Sequence, residues 1–403
     1  MATLANFYRS IDALNFPMIN RTSDRLFELD VFRGLAALGV VFFHYTSQYS
    51  TLFQHSPEVK YYFGMGRHGV EVFFLLSGFV ILITLERTKS CWDFIIKRFA
   101  RLYPAYWVAI ALTFIIVAIA KLPGQQVSLW EALGNLTMMQ EFFGIPHVDP
   151  VYWTLKVEIC FYIIMLVIYQ LRLLKHVEAV MTGWLFLALF YSLKTYLARW
   201  GVDGIFSPGV EETTSLFFNF PVLDYNVIQM GMTEGTASIQ GIRDLFREVL
   251  IIKYAHLFVA GLILYRVKQY GFSVRRGLIL LVCILAQRVA YSWENYWETT
   301  VYVAVFVGLL YLAIQGYLSF INLKPLIFLG TVSYTIYLIH QNIGYVIIRQ
   351  FYQYNINPNF SIIFAICVSI TLATLITFWV EQPANEWIRK KYKEYQSKAA
   401  KIA

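Results

Sequence analysis

Charge is scarce in this chain. Asp, Glu, Lys and Arg make up only 14% of its 403 residues, against about 25% in soluble domains, which excludes a water-soluble domain of this size. Cysteine is rarer still. Cys91, Cys160, Cys283 and Cys367 stand far apart, without metal-ligand spacing, so neither a disulfide nor a metal centre is expected. Residues 1–28 lack a short apolar core followed by small residues, so no cleavable signal is expected and the first span doubles as the insertion signal. Also missing is the internal inverted repeat that marks many transporters.

Apolar surface is what the chain has in excess. It is 58% hydrophobic and 18% aromatic, with a mean hydropathy of +0.55. Segments able to span fall near 33–49, 68–85, 103–120, 151–170, 179–198, 250–265, 277–293, 299–316, 326–346 and 360–380. The expected fold is therefore all-α, a polytopic membrane helical bundle of about ten transmembrane helices. With the N-terminus inside, 21 of the 33 Lys and Arg residues face the cytoplasm, so both termini are expected there. The net charge of +8 then reflects topology, anionic lipid and an anionic co-substrate rather than nucleic acid. We divide the chain into a cytoplasmic N-terminal segment (1–32), a membrane domain (33–380) and a basic cytoplasmic tail (381–403). Most connections are short; the exception is an outer loop at 200–249, long enough to cap a site. A second outer stretch, 122–150, holds an amphipathic piece at 129–143.

Within the first span, His44 lies eleven positions after Arg33 in LDVFRGLAALGVVFFH. On an α-helix that spacing leaves about 20° of net rotation and a rise of roughly 16 Å. Both side chains share one face, half a bilayer apart, and intramembrane charges of this kind are often functional. A cation at the surface can hold phosphates while an imidazole further in meets the end of a long carrier arm. At the start of the third span, KRFARLYP places Arg98 and Arg101 three apart on one face. Pro104 suits a helix's first turn, so the two guanidinium forks are expected beside a helix N-terminus, a natural phosphate site.

Six motifs, in order, carry a family resemblance: LDVFRGLAALGVVFFH; GVEVFFLLSGFVI (Gly69–Ile81); KRFARLYPAYW; YWTLKVEICFY (Tyr152–Tyr162); LGTVSYTIYLIH (Leu329–His340); and VEQP (Val380–Pro383). Together they resemble the acyltransferase-3 family of integral membrane acyltransferases over nearly the whole chain. The resemblance implies transfer of an acyl group, commonly acetyl, from cytoplasmic acyl-CoA to a hydroxyl of an envelope or exported carbohydrate or glycolipid, in a bacterial inner membrane. It makes His44 the essential histidine, Arg33, Arg98 and Arg101 the residues for the acyl donor, and Trp153 with Glu158 the fourth-span pair. After that Trp the family more often has Ser-Leu-Ser-Val-Glu-Glu-Gln; this chain departs at Lys156, Ile159 and Cys160.

The chemistry follows from the side chains. A sugar hydroxyl is a poor nucleophile and a thioester already has a good leaving group, so the missing component is a base. Burial in an apolar span favours the neutral imidazole that His44 needs. A carboxylate would orient the ring, and Glu71 and Glu158 are the candidates. Tyr334 and His340, on the ninth span with Ser333 and Tyr337, either line the acceptor path or bond between helices. Ser77-Gly78 is read as a packing site, and His147 and Asp149 as loop decoration. Trp200, Trp293, Tyr296 and Trp297 are outer aromatics that can stack on sugars. Other readings are a transporter or flippase with a His44, Glu71, Lys156, Glu158 relay, an inactive scaffold, and an enzyme acting on a lipid or small exported metabolite. Oligomeric state is not legible.

Overall fold

The computed structural model describes residues 26–55, 59, 61–198, 240–290 and 296–402. Most of the 200–249 loop, Trp200 and Trp293 lie outside the described residues. Among the described residues the fold is all helical, without a strand. In chain order the helices are α1 (Phe27–Phe43), α2 (Tyr49–Phe53), α3 (Gly69–Glu86), α4 (Cys91–Ala120), α5 (Leu129–Asn135), α6 (Trp153–Gln170) and α7 (Val177–Ala198). Then follow α8 (Gln240–Val249), α9 (Ala255–Tyr270), α10 (Val274–Ala290), α11 (Tyr296–Ile314), α12 (Lys324–Gln353), α13 (Pro358–Ile376) and α14 (Gln382–Ile402). Two wider π turns interrupt the pattern, at His44–Gln48 and Thr377–Glu381. Such turns often sit at functional positions.

Among the described residues six stretches are long and apolar enough to cross a membrane: Gly64–Glu86, Cys91–Ala120, Pro150–Gln170, Leu173–Leu193, Trp297–Ile314 and Pro358–Lys398. They correspond to six of the ten expected spans. The other four are helices of a different character. At 16 and 17 residues, α9 and α10 fall short of the roughly 20 that a bilayer asks for. Glu28, Asp30 and Arg33 open α1, and α12 carries Ser333, Thr335, His340, Gln341 and Asn342, all buried. A helix sheathed by other helices need not be apolar, because its polar groups bond to protein rather than face lipid.

That sheathing comes from close helix crossings. A Cβ on Gly34 would stand 2.6 Å from the Gly330 nitrogen, and one on Gly330 would stand 2.1 Å from the Asp30 carbonyl oxygen. Small residues thus let α1 and α12 meet backbone to backbone. The two helices run the same way in constant register: Gly34 meets Gly330, and ten residues on, His44 meets His340. Tyr45, fully buried, locks this crossing by donating to the His340 carbonyl (2.6 Å) and sharing a hydrogen with Ser369 of α13 (2.7 Å). Helices α3 and α9 meet in the same manner, since Gly78 lies against the Phe258 carbonyl and Gly261 against the Leu75 carbonyl. Packing is therefore what Gly78 does.

One expectation fails. Pro104 does not open a helix: α4 begins at Cys91, where the Ser90 hydroxyl caps by accepting from the Asp93 N–H at 3.2 Å. The helix then runs through Pro104, which sits buried in its interior. Arg98 and Arg101 therefore project from the body of a helix, two to three turns in, and owe nothing to its N-terminal dipole.

Candidate active site

His44 is the first residue of the π turn into which α1 loosens after Phe43, and it is buried. Its partner is His340 of α12. The two rings lie 4.8 Å apart, with His340 Nε2 2.9 Å from His44 Nδ1. Protons can be assigned from the surroundings. His340 Nδ1 faces two carbonyl oxygens, of Tyr337 at 2.9 Å and Ile336 at 3.2 Å, and only an N–H can satisfy them. Its Nε2 is then the lone-pair nitrogen and accepts from His44 Nδ1–H, which also faces the Val40 carbonyl at 3.0 Å. This leaves the lone pair of His44 on Nε2, the tautomer a base requires.

The three arginines gather at the other end of this axis. Arg33 and Arg98 both lie close enough to act electrostatically on Arg101. Arg101 donates to Glu381, a carboxylate only 1% exposed, which also accepts from Thr335 at 2.9 Å. Its guanidinium stands 5.6 Å from the centre of the Tyr334 ring. Arg98 donates to the Thr84 hydroxyl at 3.0 Å and faces the Phe94 and Tyr162 rings at 5.8 Å. Its buried Nε has no partner among the described residues. Neither fork is saturated by the described residues, so both keep free N–H donors.

Between the two ends, α12 supplies a ladder. Tyr334, Tyr337 and His340 are three apart on one face, so about 9 Å of rise separates the Arg101 level from the His44 level. Tyr334 donates to the Leu102 carbonyl at 2.9 Å, one of the interhelical bonds the sequence left open for it, and its ring stands beside Arg101. Tyr337 donates to the Val151 carbonyl at 3.1 Å. Glu158 accepts from Tyr162 and, at 3.4 Å, from Ser77, and so joins the Arg98 network. Trp153 packs with Phe74 and Tyr254 at ring distances of 6.3 and 5.5 Å.

The carboxylate partner expected for His44 is not what the structure brings to it. Glu71 pairs with His68 at 3.1 Å, both buried, and Glu158 belongs to the Tyr162 network. A second histidine takes the place of the acid. Reading His147 and Asp149 as decoration also fails, because both are buried. Asp149 accepts from the Val151 N–H at 3.3 Å and the Asn342 N–H at 3.1 Å. It thereby staples the outer stretch to α12 two residues past His340. His147 shares a hydrogen bond with Gln140 at 2.8 Å. Glu381 and Asp149 are the site residues the sequence does not announce. The VEQP motif was the one available signal for the first.

Residues 26–379 match the model of the acyltransferase-3 family, described as an acyltransferase domain, and the chain belongs to that family. Among curated relatives, the acyltransferase MdmB of Streptomyces mycarofaciens is 31% identical over 148 residues, 34% of this chain and 38% of the relative. The exopolysaccharide production protein ExoZ of Rhizobium meliloti is 30% identical over 122 residues, 28% of this chain and 37% of the relative. Nodulation protein 10 of Rhizobium leguminosarum bv. viciae is 31% identical over 113 residues, 24% and 31%. The matched part is thus less than two-fifths of each relative's length. No solved structure matches.

Proposed function

We propose that this chain is a membrane O-acyltransferase that moves an acyl group, commonly acetyl, from cytoplasmic acyl-CoA to a hydroxyl of an envelope or exported carbohydrate. The observation that carries the reading is the His44–His340 pair, which leaves a lone pair on His44 Nε2 at the end of a polar ladder that begins at Arg101. Arg33, Arg98 and Arg101 hold the phosphates of the donor, and its pantetheine arm runs along Tyr334 and Tyr337 toward His44. The acceptor arrives from the opposite face.

In the transfer step, His44 Nε2 takes the hydroxyl proton as that oxygen attacks the thioester carbonyl. The new C–O bond forms, the C–S bond breaks, and the imidazolium returns its proton to the departing thiolate. During the step His44 is a cation. His340 Nε2 and the Val40 carbonyl accept from its Nδ1–H and stabilise that charge, the service a carboxylate renders elsewhere. Four further helices, α1 with α2, α9, α10 and α12, complete a ten-span bundle in the bacterial inner membrane with both termini cytoplasmic. The name of the relative ExoZ, with its exopolysaccharide production, supports a carbohydrate acceptor.

The test is transfer of labelled acetyl from acetyl-CoA to envelope glycans in membranes holding wild type or His44→Ala at matched abundance. Label with the wild type alone supports the enzyme and the role of His44. Equal label removes His44 from the chemistry, and absence of label from both removes acetyl-CoA or glycan from the reaction.

A further inference from the structure

A second site opens on the face that carries the donor cations. There the end of α3, the turn from α6 to α7 and the turn from α9 to α10 frame an open surface cleft of about 600 Å³, within the usual range for ligand sites. Its walls include Glu86, Lys175, His176, Glu178, Arg266 and Arg275. The two acids are already paired. Glu86 accepts from Arg266 at 2.8 Å, Tyr265 at 2.6 Å and Gln269 at 2.8 Å. Glu178 accepts from Arg276 Nε and Nη2, at 3.0 and 2.9 Å. Arg266, buried, also donates to Gln269 and the Leu174 carbonyl.

What faces the cleft uncommitted is basic. Among the described residues Lys175 and His176 have no hydrogen bond or ion pair, and Arg275, 64% exposed at its side chain, reaches Glu178 only at 3.8 Å. Positive-inside anchoring accounts for cations at such a face, but not for an open cleft whose acids are neutralised by Arg266 and Arg276. Exposed Tyr270 lines it as well, a residue type favoured where helices meet lipid headgroups.

We propose that this cleft binds a phosphate-bearing ligand through Lys175 and Arg275, the headgroup of an anionic phospholipid being the source its place at the membrane surface favours. Basic pockets between membrane helices recognise lipid phosphates in this way. The site is separate from the arginine cluster that holds the acyl donor, so its occupancy does not depend on the transfer reaction.

The experiment uses the full chain in phosphatidylcholine nanodiscs carrying a small fraction of phosphatidylglycerol, with retained lipid counted by native mass spectrometry. Each cation removed is expected to weaken retention about fivefold, so Lys175→Gln with Arg275→Gln should lower phosphatidylglycerol retention about 25-fold at an unchanged thermal midpoint. Titration of inorganic phosphate in pure phosphatidylcholine discs forms the second arm. Saturable phosphate binding that the double variant loses, without lipid preference, keeps the site and assigns it to a soluble phosphate. Equal retention by wild type and double variant, with no phosphate binding in either, overturns the proposal.

Discussion

Replacing Lys156 with Met removes one ammonium and keeps the apolar stem. In the fold that ammonium donates to Glu141 at 2.6 Å and Glu248 at 2.8 Å, and lies 5.3 Å from the centre of the Phe142 ring. It therefore ties α6 to both outer stretches. Breaking a fully buried pair costs about 3–5 kcal/mol. Here only the lysine is buried: its side chain is 8% exposed, against 26% for Glu141 and 47% for Glu248. Water reaches the abandoned carboxylates, and Met spares the dehydration of an ammonium, so we expect a loss of about 1–2 kcal/mol. The pH dependence gives the sharper test. Burial pushes the Glu141 carboxyl up, but the hydrogen bond from His147 and the charge of Lys156 outweigh it and hold the group below its usual range. A depressed acid stabilises the fold above the ordinary carboxylate range, and that stability is lost as pH falls through the folded-state value. The gap between wild type and Lys156→Met should thus be full near pH 7 and close on acidification. Thermal midpoints in nanodiscs, followed by tryptophan fluorescence from pH 3 to 8, measure it. A gap independent of pH, or a variant more stable than wild type, would refute the ion pair as the tie.

Three further outcomes follow from the geometry. Tyr45→Phe removes the bonds to the His340 carbonyl and Ser369 and should cost about 1–2 kcal/mol, with kcat falling while KM for the donor holds; an unchanged kcat would detach Tyr45 from the histidine pair. Gly261→Leu puts a Cβ where the Leu75 carbonyl oxygen would stand at 1.9 Å, so it should lose at least about 1–3 kcal/mol, read as loss of the monodisperse peak in size-exclusion chromatography; a normal peak would refute the close crossing. Arg98→Lys keeps the charge and loses the planar fork, and should raise KM for acyl-CoA about tenfold, roughly 1.4 kcal/mol, with kcat nearly unchanged; an unchanged KM would remove Arg98 from the donor site.

How far the sequence spoke depended on whether the signal was local. The all-helical fold and six of the apolar spans were legible because hydropathy accumulates along one stretch of chain. His44 stood out because an imidazole in such a stretch is costly. Its partner did not, since the offset joining Gly34 to Gly330 and His44 to His340 exists only once two distant helices lie in register. Glu71 was one of two carboxylates the sequence offered to His44, and packing gave it His68 instead. Pro104 was read as a helix start because proline favours that place, but the Ser90 cap and a long apolar continuation outweighed one missing N–H. Asp149 looked like loop chemistry because nothing nearby in sequence reveals Asn342, whose N–H it accepts.

Lys156 holds together pieces that evolution could otherwise have exchanged separately. Its two acids come from stretches 15 and 92 residues away, one on each outer segment. A graft of the outer segment from another family member therefore inherits a charge problem: without an acid at 248, or with serine at 156, one partner arrives without its counterpart. Such chimeras should succeed when residues 141, 156 and 248 are exchanged as a set.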